Sequence, residues 1–274
     1  MEDRTMEDRT TDTLHARFVA LHRQPHPLLL ANAWDAASAR LWQEAGAPAI
    51  ATASAAVSWS RGYPDGGALP RHALIDSMRD IVRVTDVPVT VDLEDGYSDD
   101  ADAVADLVAE VVSLGAVGIN LEDGAADPER LAAKIDAVRR RLGPAPVFIN
   151  ARTDVYLRGL ATGAAAVRET VSRLSRYAAA GADGGFVPGL TALDEMAGIS
   201  AAVPVSLNIM ALPGLPPPAS LARAGVRRIS TGPGLFKAAY AAGRESASAF
   251  LQGDLAPMFE RSLDYSEMNR MLSA

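Results

Sequence analysis

PVTVDLEDGYSDDADAVADLVAEVVSLGAVGINLED, residues 88–123, decides the fold. An apolar run, Pro88–Leu93, passes into Asp92-Leu93-Glu94-Asp95. A helical stretch, Asp99–Leu114, follows and stops at Gly115. A second apolar run, Val117–Leu121, then ends in Glu122-Asp123. Each apolar run is too short to be a helix, so the stretch reads as strand, helix, strand, with acidic residues where both strands end.

The same unit repeats outward in both directions. Strands are predicted at Leu28–Asn32, Ala49–Thr52, Pro88–Leu93, Val117–Leu121, Pro146–Asn150, Gly184–Val187, Pro204–Asn208 and Arg227–Thr231. Helices are predicted at Asp35–Ala45, Arg71–Thr85, Asp99–Leu114, Asp127–Leu142, Thr162–Ala180, Thr191–Ala201 and Pro218–Ala224. Several start at Asp or Thr and stop near Gly46, Gly115, Gly143, Gly181 or Gly225, which suits N-cap and C-cap chemistry. Eight strands alternating with helices predict an α/β fold, a (β/α)8 TIM-type barrel rather than an open doubly wound sheet. Ahead of it, Leu14, Phe18 and Leu21 fall at i, i+4 and i+7 in Thr11–Gln24, a helix expected to cover one end of the barrel. MEDRTMEDRT, residues 1–10, is a polar direct repeat and reads as a disordered tail. Residues 11–274 read as one barrel domain, closed by an amphipathic C-terminal helix within 255–274.

Composition narrows the function. With 274 residues, 49% hydrophobic and 22% charged, the chain can bury a sizeable core. A net charge of -8, with no basic stripe, argues against nucleic acid. No apolar run reaches membrane-spanning length and no signal peptide is visible, so a cytoplasmic protein without a membrane partner is expected. Without cysteine there are no disulfides, thiolate metal sites or cysteine nucleophiles. The only lysines are Lys134 and Lys237, neither at a strand end, which disfavours a Schiff-base aldolase. No Gly-x-Gly-x-x-Gly follows a strand, which disfavours hydride transfer.

The apolar runs end at Asn32, Thr52, Asp92-Leu93-Glu94-Asp95, Glu122-Asp123, Asn150 with Arg152-Thr153-Asp154, and Asn208. In a (β/α)8 barrel these positions converge on the active face. Asp92, Glu94, Asp95, Glu122 and Asp123 would crowd carboxylates into one mouth, where their repulsion needs a cation or shared protons. Oxygen ligands without Cys or a strand-end His suit Mg²⁺ or Mn²⁺ better than zinc. The histidines His15, His22, His26 and His72 lie away from strand ends and are expected in surface or capping roles. Gly232-Pro233-Gly234 carries a weak anion-binding signal.

At these residues the chain resembles the isocitrate lyase/phosphoenolpyruvate mutase superfamily, over roughly Leu28 to Gly243. The resemblance rests on Asn32-Ala33-Trp34-Asp35-Ala36, Ala51-Thr52-Ala53-Ser54, Gly62-Tyr63-Pro64-Asp65, Val91–Tyr97, Gly118–Asp123 and Asn150-Ala151-Arg152-Thr153-Asp154. It implies that Asp92, Glu94 and Glu122 hold Mg²⁺, with Asp65 among the acidic groups around it. It also implies that Arg152 binds a substrate carboxylate, a task that its bidentate fork suits. Thr52, Ala53 and Ser54 align with a loop that grips the other end of a 2-oxo acid, and Trp34 and Asn208 are expected to line the pocket. The family also implies homo-oligomers that exchange their last helix.

The chain departs from the lyases of that superfamily after Glu122. Their mobile loop carries a Lys-Lys/Arg-Cys-Gly-His motif, whereas here Asp123-Gly124-Ala125-Ala126 runs straight into the Asp127 helix. The longer Lys- and Asn-bearing loop of the phosphonate branch is missing too. Proton handling therefore falls to other loops, with Tyr63, Tyr97, Arg61, Tyr156 and Arg158 as candidates; Arg152, Asp65 and Tyr63 are the expected catalytic residues. The expectation is a Mg²⁺-dependent lyase that makes or breaks a C–C bond next to an enolate in a small 2-oxo or 2-hydroxy carboxylic acid. Phosphonate C–P chemistry and a non-catalytic carboxylate-binding relative are the alternatives.

Overall fold

The computed structural model describes residues 10–260 and 262–273. Most of the duplicated MEDRT segment lies outside them; Thr10 is described, and its hydroxyl accepts the Thr13 N–H as the N-cap of α1 (Thr11–Leu21). The chain then runs β1 (Leu28–Ala33), α2 (Ala36–Glu44), β2 (Ile50–Thr52), α3 (Ser54–Ser60), α4 (Arg71–Arg83), β3 (Val89–Asp92), α5 (Ala101–Ser113), β4 (Gly118–Glu122), α6 (Pro128–Leu142), β5 (Phe148–Arg152) and α7 (Gly163–Ala179). It continues through β6 (Gly184–Phe186), α8 (Leu193–Ala202), β7 (Ser206–Met210), α9 (Pro218–Arg223), β8 (Val226–Ser230), α10 (Gly234–Leu251), α11 (Ala256–Glu260) and α12 (Tyr265–Leu272).

The eight strands are parallel and close in sequence order, with β8 pairing back onto β1, so the predicted barrel is the observed one. Short apolar strands hold their registers because helices bury their outer faces; Val104, Val108 and Val111 of α5 and Leu131, Ile135 and Val138 of α6 are all nearly inaccessible. Local chemistry starts the helices. The Asp35 carboxylate accepts the Ser38 N–H at 2.7 Å while the Ser38 hydroxyl accepts the Asp35 N–H, a capping box that turns the chain from β1 into α2.

Two helical features depart from expectation. Helix α3 follows β2 after one residue and is absent from the helices that the sequence predicts; only its first residue, Ser54, falls in the segment aligned with a substrate-gripping loop. The C-terminal amphipathic segment is two helices rather than one. Asp264, extended at φ -66° and ψ 145°, opens α12 as its N-cap residue, a position that Asp favours. Within this chain α12 rests on α2 with Met271 buried.

Helix α1 covers the end of the barrel where the strands begin. Phe18 packs with Leu28, Leu30, Ala49, Ala51, Val117 and Phe148. His22 joins them as the C-cap residue of α1, the capping role expected of it, but buried rather than at the surface: it is 3% exposed, stacks on Phe148 at 4.2 Å and lies 2.8 Å from the Phe18 carbonyl through Nδ1. Burial, reinforced by the Arg228 guanidinium, lowers its pKa from 6.5 to about 3. A histidine held neutral in the fold gains a proton only on unfolding, so stability is present above pH 6.5 and is lost as pH falls toward 3. Each pH unit in that window costs about 1.4 kcal/mol. Urea unfolding of the wild type should therefore weaken by about 3 kcal/mol between pH 7 and pH 4 from this residue, and His22→Phe should flatten that slope. An unchanged slope in the variant would show that other groups govern acid sensitivity.

Candidate active site

The strand ends set the site. Asp92 closes β3 in register with Asn120 of β4, and Glu122 closes β4 opposite Arg152 of β5. The Thr52 hydroxyl accepts the Asp92 N–H at 2.9 Å, and the Ser54 N–H donates to Asp92 Oδ2 at 3.1 Å. The other carboxylate oxygen, Oδ1, is buried without a hydrogen-bond partner. After Asp92 the backbone doubles back. Glu94 and Tyr97 take left-handed conformations, φ 51° and φ 58°, that cost a non-glycine residue roughly 1–3 kcal/mol each. The Glu94 carbonyl is tied to the Glu122 N–H at 2.8 Å, and the Tyr97 hydroxyl donates to Glu94 Oε1 at 2.9 Å. The strained turn thus holds the Glu94 carboxylate near Asp92, only 6% exposed as a residue.

Arg152 is clamped. Its Nε and Nη2 donate to the two oxygens of Asp154 at 2.7 and 3.1 Å, and Nη1 lies 2.6 Å from Glu122 Oε2. Such a fork on a carboxylate fixes the guanidinium plane and leaves N–H groups on both terminal nitrogens for another anion. Beneath it Asp123, fully buried, accepts the Asp154 N–H, Arg173 Nη1 at 2.9 Å and the Tyr177 hydroxyl at 2.6 Å. Asp123 is therefore a brace between β4, β5 and α7 rather than a member of the mouth, where it was expected. Asp95 also departs: its side chain is 54% exposed and lies 3.8 Å from Lys134.

Asp65, on the exposed loop after α3, is brought to the carboxylates. Burial and the Asp92 charge raise its pKa, opposed by the Gly66 N–H, Arg152 and the Ser54 hydroxyl. Burial raises Glu94 as well, against the Tyr97 hydrogen bond. Glu122 is pushed up to about 8 by burial, which Arg152 opposes and Asp92, Asp154 and Glu94 reinforce. Arg152 itself is held charged because Glu122 and Asp154 outweigh the effect of burial. The shifts of Asp65, Glu94 and Glu122, each with the Asp92 charge among its causes, mark the four carboxylates as one electrostatic cluster short of positive charge.

That cluster fits a divalent cation of a particular kind. Asp92 Oδ1 is a buried acceptor without a donor, and the donors around it are carboxylate oxygens, which suit Mg²⁺ or Mn²⁺. Among the described residues no three His, Cys, Asp or Glu side chains close on one point.

The other expected residues divide. Thr52 and Ser54 are buried; the Thr52 hydroxyl and the Ser54 N–H hold Asp92, while the Ser54 hydroxyl serves Asp65, and Ala53, 4% exposed, precedes α3. Asn208 is fully buried with Nδ2 unpartnered. Trp34 packs its ring on Trp42 and Phe236 and has no hydrogen bond to the carboxylates. Tyr63 stands 37% exposed on the loop before Asp65, with no side-chain bond to the cluster. Among the earlier candidates for proton handling, Arg61 is drawn away to Ser77 at 3.1 Å and Tyr97 is engaged with Glu94. Arg228 received no role from the sequence. It is 1% exposed and reaches from β8 across the barrel to Asn120 Oδ1 at 3.3 Å, under Asp92, with Nε and Nη1 unpartnered.

Residues 18–251 match the family model described as phosphoenolpyruvate phosphomutase. The chain belongs to the isocitrate lyase/phosphoenolpyruvate mutase superfamily. Within the superfamily it is 41% identical over 260 residues to an uncharacterised protein of Mycobacterium tuberculosis, covering 93% of this chain and 95% of that one. It is 30% identical over 237 residues to an oxaloacetate decarboxylase of Paraburkholderia xenovorans, covering 82% and 78%. A crystal structure from Burkholderia cenocepacia, provisionally described as a phosphonomutase, superposes with a TM-score of 0.82 at 40% identity, covering 89% of this chain and all of that one. Like its superfamily relatives, the chain is an enzyme of the lyase or mutase type.

Proposed function

We propose that this enzyme is a Mg²⁺-dependent lyase that makes or breaks a C–C bond in a small 2-oxo or 2-hydroxy carboxylic acid. One observation carries the reading: the unpartnered Asp92 Oδ1 lies in a carboxylate cluster whose neighbour, Arg152, is fixed with N–H groups to spare. Asp92 would hold the ion directly, with Glu94 and Glu122 orienting its waters and Asp65 reaching in from the rim. Bound there, Mg²⁺ would chelate the 2-oxo acid and stabilise the negative charge that develops beside the bond being broken. Arg152 would bind the substrate carboxylate and fix its orientation. Asn208 Nδ2, in the middle of β7 rather than at its end, is a further donor without a partner. No described helix is long and apolar enough to cross a membrane, and the reading takes the enzyme as cytoplasmic. Phe250, Leu251, Leu255 and Phe259, all at least half exposed, form the apolar surface that a second copy would cover in a homo-oligomer.

The test is turnover of a panel of 2-hydroxy and 2-oxo di- and tricarboxylic acids, with phosphonopyruvate, scored by Mg²⁺-dependent release of pyruvate, glyoxylate or oxalate. Release from a carboxylic acid supports the reading. Release from phosphonopyruvate alone would replace it with C–P chemistry, and silence across the panel would contradict it.

A further inference from the structure

Asp154 is fully buried, yet it serves two guanidinium groups. Its Oδ1 accepts Arg152 Nε at 2.7 Å, while Oδ2 accepts both Arg152 Nη2 at 3.1 Å and Arg158 Nε at 3.0 Å. The two arginines therefore stand side by side on one carboxylate, Arg152 inward at 16% side-chain exposure and Arg158 outward at 51%. Arg158 Nη2 lies over Gly124, 3.6 Å from the position a Cβ would take there. Gly124 belongs to the tight turn after Glu122, in which the Ala126 N–H closes on the Asp123 carbonyl and Asp127 caps α6. The other cations near this rim are engaged elsewhere, Arg61 on Ser77 and Lys134 on the Asp95 carbonyl. Only Nε of Arg158 is bonded to Asp154, which leaves its two terminal nitrogens on a half-exposed side chain whose guanidinium shares a carboxylate with Arg152.

We infer that Arg158 determines substrate specificity by binding a second anionic group, distal to the 2-oxo acid end that Arg152 and the metal would hold. The substrate class becomes a dianionic 2-oxo or 2-hydroxy acid, its second charge a carboxylate or a phosphonyl group. The physical case is that a planar guanidinium already oriented through Nε loses little freedom when its two terminal nitrogens grip an anion. The inference rests on the reading of the site given under Proposed function.

The test measures binding with Mg²⁺ present, by calorimetry, for the wild type, Arg158→Gln and Arg158→Lys. The probes are oxalate, which lacks a distal group, 2-oxobutyrate against 2-oxoglutarate, and phosphonopyruvate. The wild type should bind 2-oxoglutarate or phosphonopyruvate at least tenfold more tightly than 2-oxobutyrate, and the stronger of the two names the distal group. Arg158→Gln should erase that preference while oxalate affinity stays within twofold, and Arg158→Lys should restore part of it. Equal losses on oxalate and the dianions would show that Arg158 only braces Asp154, and a preference unchanged in Arg158→Gln would also overturn the inference. No oxalate binding to the wild type would instead defeat the reading of the site, and the role of Arg158 with it.

Discussion

Asp123→Ala is expected to lower the stability of the chain by about 3–5 kcal/mol, seen as a large drop in the urea midpoint with an unchanged slope. The reason is what the substitution strands. Arg173 Nη1, the Tyr177 hydroxyl and the Asp154 N–H all end on this one buried carboxylate. Removing it takes the buried partner from Arg173 Nη1, leaving that nearly buried guanidinium only the more exposed Glu169 on Nε, and breaking a buried pair is among the costliest defects in a protein. Asp154 would also lose its own brace, and with it the clamp on Arg152. A loss under about 1 kcal/mol would contradict the bracing role.

Asp92→Ala should do the reverse. Metal-dependent turnover should fall by roughly a thousandfold or more, since a group acting directly in charge stabilisation is removed. Stability without metal should change by no more than about 1 kcal/mol, because Asp92 sits among like charges and one of its oxygens has no partner. Against that relief stand the loss of the bond from the Ser54 N–H and of the attraction to Arg152 and the buried Arg228. Paired kinetics and urea unfolding on both aspartate variants separate the roles: Asp123 should move mainly stability and Asp92 mainly rate. A stable, active Asp92→Ala enzyme would contradict the assignment.

The barrel was legible in the sequence because each strand is a short apolar run bounded by polar residues and each helix carries a recognisable stop or start. What blurred was length. Ser54–Ser60 follows β2 after a single residue, and α10, Gly234–Leu251, is absent from the helices that the sequence predicts. The site was legible as a set of strand-end acids, but not which of two adjacent acids turns inward. Glu122 and Asp123 are neighbours, and strand alternation sends one to the mouth and the other toward Arg173 and Tyr177. Asp92 and Glu94 come together only because the chain reverses at φ 51°, a turn that no glycine at position 94 announced. Arg227-Arg228 offers no sequence cue to which arginine crosses the barrel, since both are charged and only packing selects Arg228.

The most direct test of the central claim, that the strand-end carboxylates hold a divalent ion which in turn holds a 2-oxo acid, is a Mn²⁺ titration followed by electron paramagnetic resonance. It would be run with and without oxalate, on the wild type and on Asp92→Ala. The account expects a single Mn²⁺ site per chain in the wild type, bound at least tenfold more tightly when oxalate is present, and absent from the variant. Mn²⁺ binding indifferent to both oxalate and Asp92, or no binding at all, would contradict it.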